Sequence, residues 1–326
     1  MNSFDIASSL HAPQFQRGPG LHGIWVPLAT PMRNGEPDFA ALQNLADGLI
    51  AKGVHGLVVC GTTGEAAMLD LGEQAAALAA MLETAQRRVP VMMGIGGSDT
   101  RAAAAKARQF DSREIAAFLV SAPAYVRPSQ QGLVRHFHAV AAETRRPIVL
   151  YNVPARAGVS LGLDAARALA SSPQFAAIKD AAGDPGQLHD LIDGTPLKVL
   201  CGDDTLLFAA LCAGGHGAIS AAAHIRPDLY VQLYELVRAQ QLERARTLFA
   251  RLLPMIRLLF SEPNPAPLKA VLAMQGLARD ELRLPMTPVS AACRERLAAA
   301  LEALGALPVY RAHAYAPPLP RGVEAL

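Results

Sequence analysis

The sequence lacks an excess of charge of either sign. Its 30 lysine and arginine residues nearly balance 28 aspartate and glutamate residues, which leaves a formal net charge of +2. Because the charges are interspersed rather than gathered into a run, the chain has no electrostatic footprint for nucleic acid or for an anionic membrane. The sequence therefore predicts a small-molecule partner, and neither a nucleic-acid nor a membrane partner.

Metal-binding and disulfide motifs are also missing. The four cysteines show no CxxC or zinc-type spacing, and three of them lie in apolar runs, so we expect reduced, structural thiols. His136 and His138 are two positions apart on a predicted helix and so face different directions, and no HExxH motif occurs. We therefore expect no metal site and a mechanism without a cofactor.

Long apolar runs are absent as well. No window is long enough to span a bilayer, and the first residues lack the basic and apolar regions of a secretory signal, so a cytoplasmic protein is expected. Hydrophobic residues nevertheless make up 51% of the chain and charged residues only 18%. This composition predicts a globular protein with a large core.

Eight short apolar runs alternate with longer amphipathic or alanine-rich stretches. The runs are GIWVPLAT, GLVVCG, VPVMMGIG, IAAFLVSAP, PIVLYNVP, FAAIKD, LKVLCGDD and GHGAIS. Helices are predicted near 38–52, 70–87, 99–111, 129–145, 162–171, 184–193, 204–213 and 226–238. Eight strand-helix units of roughly 30 residues predict an α/β fold, a (β/α)8 TIM barrel of about 250 residues. A doubly wound sheet is disfavoured because the first strand is not followed by a GxGxxG loop.

Further helices are predicted after the eighth unit, near 240–260, 266–277 and 290–304. We expect them to form a helical appendix packed on the barrel. The predicted organisation is an N-terminal extension (1–20), the barrel (21–238), a C-terminal helical region (239–305) and a tail (306–326).

Polar residues follow the predicted strands, at the end where such barrels carry their active sites. Lys179 closes the sixth strand. A lysine there most often extends its ammonium to solvent, but it can also form a Schiff base with a carbonyl substrate. A free lysine has a pKa near 10.4, and lowering it to around 7 to 8 takes roughly 3 to 5 kcal/mol, which desolvation at an apolar barrel mouth can supply. Strand alternation points the neighbouring Asp180 away into the barrel wall.

Two other strand ends carry groups that suit such chemistry. The amides and hydroxyls of Thr62 and Thr63 can approach a carboxylate, although either threonine could instead cap the next helix, and Glu65 could cap or hydrogen-bond within the loop. The phenol of Tyr151 can move protons or be a core group with a hydrogen-bonded tip. Arg156 is either a surface arginine or a fork for a substrate carboxylate.

Together with further motifs, these residues show that the chain resembles the dihydrodipicolinate synthase/N-acetylneuraminate lyase family of Schiff-base aldolases. The resemblance runs from about residue 23 to residue 288. Its motifs are GTTGE (61–65), YNVPARAG (151–158), IKDAAGD (178–184), GDD (202–204), GGHGAIS (214–220) and LRLPMTP (282–288). Their order and spacing together are highly specific.

The resemblance implies a role for each matching position. Lys179 would be the Schiff-base lysine for pyruvate, with Tyr151 relaying protons and Thr62 linking Tyr151 to Tyr125, which reaches the neighbouring subunit's site. Thr62 and Thr63 would hold the pyruvate carboxylate, with Gly202 and the backbone of Ile219 beside it. Arg156 would bind the carboxylate of the second substrate. No cofactor is implied beyond the covalent imine, and the assembly would be a homotetramer, a dimer of dimers.

The arginine in YNVPARAG and the second threonine in GTTGE favour the synthase branch, which joins pyruvate to aspartate semialdehyde in lysine biosynthesis. Two alternatives stay open: a pyruvate aldolase or dehydratase acting on a keto-deoxy sugar acid or a hydroxyproline-derived acid, and a non-catalytic keto-acid-binding barrel. The chain also departs from the pattern at Ala124 and Ala102, where lysine-inhibited members carry a tyrosine and an acid. We therefore predict weak or absent inhibition by lysine.

Overall fold

Eight parallel strands close into a barrel in the computed structural model, which describes residues 20–305. The barrel strands are β1 (Gly23–Pro27), β4 (Gly56–Val59), β5 (Val91–Ile95), β6 (Ala117–Ser121), β7 (Ile148–Asn152), β8 (Phe175–Asp180), β9 (Lys198–Cys201) and β10 (Gly217–Ile219). A two-stranded hairpin, β2 (Met32–Arg33) and β3 (Glu36–Pro37), follows β1. Each predicted apolar run contains one barrel strand, and β10 pairs with β1 to close the sheet. The predicted TIM barrel is confirmed.

Helices follow the strands and cover the outside of the barrel. They are α1 (Phe39–Ala51), α2 (Leu71–Ala85), α3 (Thr100–Phe110), α4 (Gln130–Ala141), α5 (Pro154–Ala157), α6 (Leu163–Ala170), α7 (Pro185–Gly194), α8 (Leu207–Cys212) and α9 (Pro227–Arg238). Their first turns contain the residues that start helices: Asp70 and Glu73 form a capping box on α2, while α7 and α9 begin with proline.

The strands are buried on both faces, which explains their continuous apolar sequences. One cluster of side chains fills the layer between sheet and helices, and a second, which includes Trp25, Leu119 and Ala177, fills the barrel interior. The core is therefore closed at the centre, and any ligand must bind at the end of the barrel.

Three more helices follow the barrel: α10 (Leu242–Leu259), α11 (Ala266–Met274) and α12 (Ala291–Gly305). Helix α10 packs against α9 and α12, so the appendix lies directly on the barrel. The boundaries of the predicted domains stay a prediction. Residues 1–19 and the 306–326 tail lie outside the described residues.

Two further observations concern the described residues alone. No helix within 20–305 is long and apolar enough to cross a membrane. In the same range, no three histidine, cysteine, aspartate or glutamate side chains come together as metal ligands. The cysteines are free thiols; Cys60, Cys201 and Cys293 are buried, and Cys212 is exposed.

Candidate active site

Lys179 and Tyr151 lie side by side at the carboxyl end of the barrel. They are register partners on β8 and β7, so their side chains point to the same, inner face of the sheet. The Lys179 Nζ lies 4.2 Å from the centroid of the Tyr151 ring. Only 6% of Lys179 is exposed, so this lysine does not extend its ammonium to bulk water. The pair presents an amine and a phenol to one enclosed space.

Asp180 points in the opposite direction, as strand alternation predicts. Its carboxylate accepts a hydrogen bond of 2.7 Å from the Asn152 side-chain amide, in the layer between sheet and helices. Burial raises the pKa of Asp180 above its usual value, and the Asn152 hydrogen bond partly opposes this. Asp180 therefore anchors β8 to β7 and does not face the amine.

Gly202, which follows β9, leaves the space that Lys179 occupies. A Cβ atom at this position would lie 2.9 Å from the Lys179 Cε and 2.9 Å from the Ala181 Cβ. Contacts this short between carbon atoms are repulsive, so only glycine fits without displacing the lysine. The family resemblance predicts that Gly202 lies beside the substrate, and the structure adds this packing requirement.

Asp204 is a buried carboxyl that we did not single out from the sequence. It accepts hydrogen bonds from the Ser220 hydroxyl and, at 3.3 Å, from the Ala221 amide. Burial raises the pKa of Asp204 to about 6, against the opposing effects of the Ser220 hydrogen bond and the Lys179 charge. The GDD motif was the only signal for it, and two adjacent acids give no indication of which one is buried.

The loop after β4 carries Thr62 and Thr63. Cys60 and Glu65, at its two ends, both have a left-handed backbone, with φ values of 55° and 56°. Gly64 between them has no room for a side chain, because a Cβ would lie 2.8 Å from the Leu28 carbonyl oxygen. Neither threonine caps α2, which is capped by its own aspartate. Both threonines instead line a cavity that Lys179 and Tyr151 also line.

Glu65 precedes a short 3-10 turn (Ala66–Met68), and its backbone amide donates to the Thr62 carbonyl oxygen at 3.1 Å within the loop. Its side chain makes no capping hydrogen bond there. Its carboxylate pairs with the Lys269 ammonium, and the side chains of both residues are 0% exposed. It also accepts a hydrogen bond of 3.1 Å from the Arg283 amide. Lys269 donates to the Glu281 carbonyl oxygen at 2.8 Å, and burial lowers its pKa although the Glu65 charge opposes this. The helical appendix therefore holds the threonine loop.

Arg156 lies on the short helix α5 at the rim of the site. Its Nη2 donates a hydrogen bond of 3.2 Å to the Asn264 carbonyl oxygen. The Asn264 side-chain Nδ2 donates to the Thr63 Oγ1, also at 3.2 Å. One residue of the appendix thus touches both the predicted arginine and the predicted threonine loop.

A cavity of about 330 Å³ brings most of the predicted site residues together. Seven of the eight line it: Thr62, Thr63, Tyr151, Arg156, Lys179, Gly202 and Ile219. This volume is suited to a small substrate. Tyr125 is the exception, since it is 90% exposed with a φ of 73°. Within residues 20–305, no hydrogen bond joins Thr62 to Tyr151 or to Tyr125.

A larger cavity of about 580 Å³ adjoins the first and shares Thr62, Tyr151 and Arg156 with it. Lys106 and Ala124 lie on its other side. Burial lowers the pKa of Lys106. Ala124 faces this cavity, whereas Ala102 is not among the residues that line it.

Comparisons with known proteins agree on one family. Residues 20–304 match the model of the dihydrodipicolinate synthetase family. A 4-hydroxy-tetrahydrodipicolinate synthase from Syntrophobacter fumaroxidans is 40% identical over 288 residues, which cover 87% of this chain and 99% of that protein.

Solved structures agree with the family match. The chloride-inhibited dihydrodipicolinate synthase from Acinetobacter baumannii, complexed with pyruvate, superposes with a TM-score of 0.85 at 34% identity, covering 88% of this chain and 99% of that one. The dihydrodipicolinate synthase from Thermotoga maritima gives a TM-score of 0.86 at 32% identity, covering 88% of this chain and 100% of that one.

Proposed function

Because the chain belongs to the dihydrodipicolinate synthetase family, we propose that this lyase joins pyruvate to aspartate 4-semialdehyde, the reaction of 4-hydroxy-tetrahydrodipicolinate synthase. One observation carries the proposal. The Lys179 amine lies over the Tyr151 ring inside a cavity at the carboxyl end of the barrel. Arg156 at the rim of the same cavity supports an anionic second substrate.

Lys179 provides the nucleophile in the first half of the reaction. Its neutral amine attacks the keto carbon of pyruvate to give a carbinolamine, which loses water to become an imine. Loss of a proton from the methyl carbon gives an enamine, and this carbon then attacks the aldehyde carbon of the second substrate. The aldehyde oxygen takes up a proton, and water releases the product from Lys179. The covalent imine takes the place of a cofactor.

Tyr151 moves the protons that these steps require. Its phenol stands beside the amine, so it can protonate the departing hydroxyl of the carbinolamine and later accept a proton. Thr62 lines the same cavity wall and would pass protons between Tyr151 and Tyr125. The exposure of Tyr125 suits a residue that extends from one subunit to the site of another. This arrangement supports assembly through a tight dimer, and a dimer of dimers is the proposed homotetramer.

Two positions bind the substrate carboxylates. Thr62 and Thr63 offer hydroxyls and amides to pyruvate, and Ile219 and Gly202 line the same cavity. Arg156 offers a planar fork of N–H donors to the carboxylate of aspartate semialdehyde. The proposed setting is lysine biosynthesis in the cytoplasm.

Borohydride reduction in the presence of pyruvate tests the mechanism. The imine on Lys179 should be trapped as a stable adduct that peptide mass spectrometry assigns to this residue, and Lys179→Met should give none. A protein that binds pyruvate without trapping would be the non-catalytic barrel. Turnover of aspartate semialdehyde, compared with keto-deoxy sugar acids and hydroxyproline-derived acids, then identifies the branch of the family.

A further inference from the structure

Asn264 lies between the two carboxylate-binding positions, although it belongs to the helical appendix and not to the barrel. Its side-chain Nδ2 donates to the Thr63 Oγ1, and its carbonyl oxygen accepts from the Arg156 Nη2, both at 3.2 Å. Asn264 also lines both cavities. It is the one residue of the described chain that hydrogen-bonds to both of these groups.

The hydrogen bond to Thr63 fixes the direction in which the threonine hydroxyl can act. A hydroxyl has one hydrogen to donate and lone pairs that accept. Because the Asn264 amide donates to the oxygen, the hydroxyl hydrogen is left for another acceptor. Within residues 20–305, no group accepts that hydrogen, although Thr63 is only 4% exposed. A buried donor that faces a cavity is matched by an acceptor on the ligand.

We propose that Asn264 is a positioning residue that orients the Thr63 hydroxyl as a donor toward the substrate carboxylate and holds Arg156 at the adjacent carboxylate position. The inference rests on the proposed function, in which Thr63 contacts pyruvate. It adds a residue that determines whether the Thr63 hydroxyl donates toward the substrate. The same residue contacts both proposed carboxylate positions, at Thr63 and at Arg156. An amide at this position favours an anion in the cavity, whereas a carboxylate would disfavour one.

The loop that carries Asn264 is anchored by residues before and after it in the sequence. The Glu262 carboxylate accepts hydrogen bonds from the Ser290 amide at 3.0 Å and from the Ser290 hydroxyl at 2.5 Å. The Lys269 side chain on the following helix is held by Glu65. The backbone of Asn264 is thus fixed from both directions, and its side chain can be changed without releasing the loop.

Asn264→Asp is the decisive variant because aspartate has the same side-chain shape as asparagine but replaces the N–H donor with an oxygen acceptor. The new carboxylate would accept the Thr63 hydroxyl hydrogen and place a negative charge beside the pyruvate carboxylate. The pyruvate concentration that gives half-maximal borohydride trapping should rise by about tenfold or more. Asn264→Ala removes the donor without adding charge, and it should raise the same concentration by only about threefold.

Ser261→Ala is the matched control on the same loop. Its hydroxyl bonds to the Leu258 carbonyl oxygen and touches the Cys293 sulfur, with no contact to the site. It should leave trapping unchanged. A Thr63→Val background supplies the second control, because without the hydroxyl Asn264→Ala should add almost nothing. Urea unfolding of each variant shows that the fold is kept.

The outcomes separate this inference from the proposed function. Equal effects of Asn264→Ala and Asn264→Asp, or no effect of either, would overturn the role of Asn264 while trapping in the wild type still supports the Schiff base. A wild type that is not trapped overturns the proposed function instead. In that case calorimetric titration with pyruvate decides the role of Asn264 by itself, since Asn264→Asp must weaken binding more than Asn264→Ala.

Discussion

A side chain on Gly202 would collide with the Lys179 Cε, since the two carbon atoms would be 2.9 Å apart. The two residues lie at the ends of neighbouring strands, β9 and β8, in which Lys179 pairs with Leu200. The Lys179 side chain can therefore hold its position only because the residue at the end of the adjacent strand has no side chain. The site depends on backbone packing as well as on its reactive groups.

Gly202→Ala should displace the lysine and impair imine formation. We expect kcat/KM to fall by about 100-fold, because misplacing a nucleophile by about 1 Å has an effect of that size. The measurements are steady-state kinetics and the rate of borohydride trapping. Gly48→Ala is the control, since nothing lies within 4 Å of a Cβ at that helical position. Unchanged trapping in Gly202→Ala would show that the lysine tolerates the methyl group.

Arg156→Ala should weaken the use of aspartate semialdehyde without affecting pyruvate. Loss of a bidentate carboxylate partner should raise KM for the aldehyde by roughly 10- to 100-fold, while borohydride trapping of pyruvate stays at the wild-type level. Arg101→Ala, at an exposed position on α3, is the matched control. Wild-type kinetics in Arg156→Ala would refute its role in carboxylate binding.

Breaking the buried pair between Glu65 and Lys269 should destabilise the protein. Lys269→Met leaves the Glu65 carboxylate buried without its partner, which should lower the free energy of unfolding by about 3 to 5 kcal/mol. The double variant Glu65→Gln with Lys269→Met should recover part of that loss. Urea unfolding measures both, and a double variant less stable than the single one would contradict this account. Arg246 forms an exposed ion pair with Glu243, and Arg246→Ala should leave the urea concentration at the midpoint of unfolding unchanged.

Asp204 should make stability depend on pH between about 4 and 6. Its pKa is raised from 3.8 to about 6 in the folded state, so folding favours the protonated carboxyl. The contribution of Asp204 to stability is therefore complete below pH 4 and is lost as pH rises through 6. The total change is on the order of 3 kcal/mol. Urea unfolding at several pH values should show wild type losing stability across this window relative to Asp204→Asn, and parallel curves would contradict the prediction.

Lysine should inhibit the enzyme weakly or not at all. Ala124 and Ala102 offer neither a phenol nor a carboxylate, so the chain lacks both side chains that the lysine-inhibited pattern supplies at these positions. Initial rates measured over a lysine titration test this, and strong inhibition would contradict it.

The sequence by itself determined the barrel and most of the candidate site. Parallel strands buried on both faces give continuous apolar runs, so eight such runs separated by helices predict the fold. Strand alternation is equally local, and it was enough to predict that Lys179 points inward and Asp180 points outward. Strand ends in such a barrel meet at one edge, so the predicted residues converge without any knowledge of distant contacts.

Only the tertiary structure decided how that site is held. Asn264 and Thr63 are 201 positions apart, and Glu65 finds its partner on α11, so no local pattern could predict either contact. The structure likewise decided which acid of the GDD motif is buried. Which side chains become buried and which become partners depends on how the packed helices and strands fill space. This packing is a property of the whole fold rather than of any one segment.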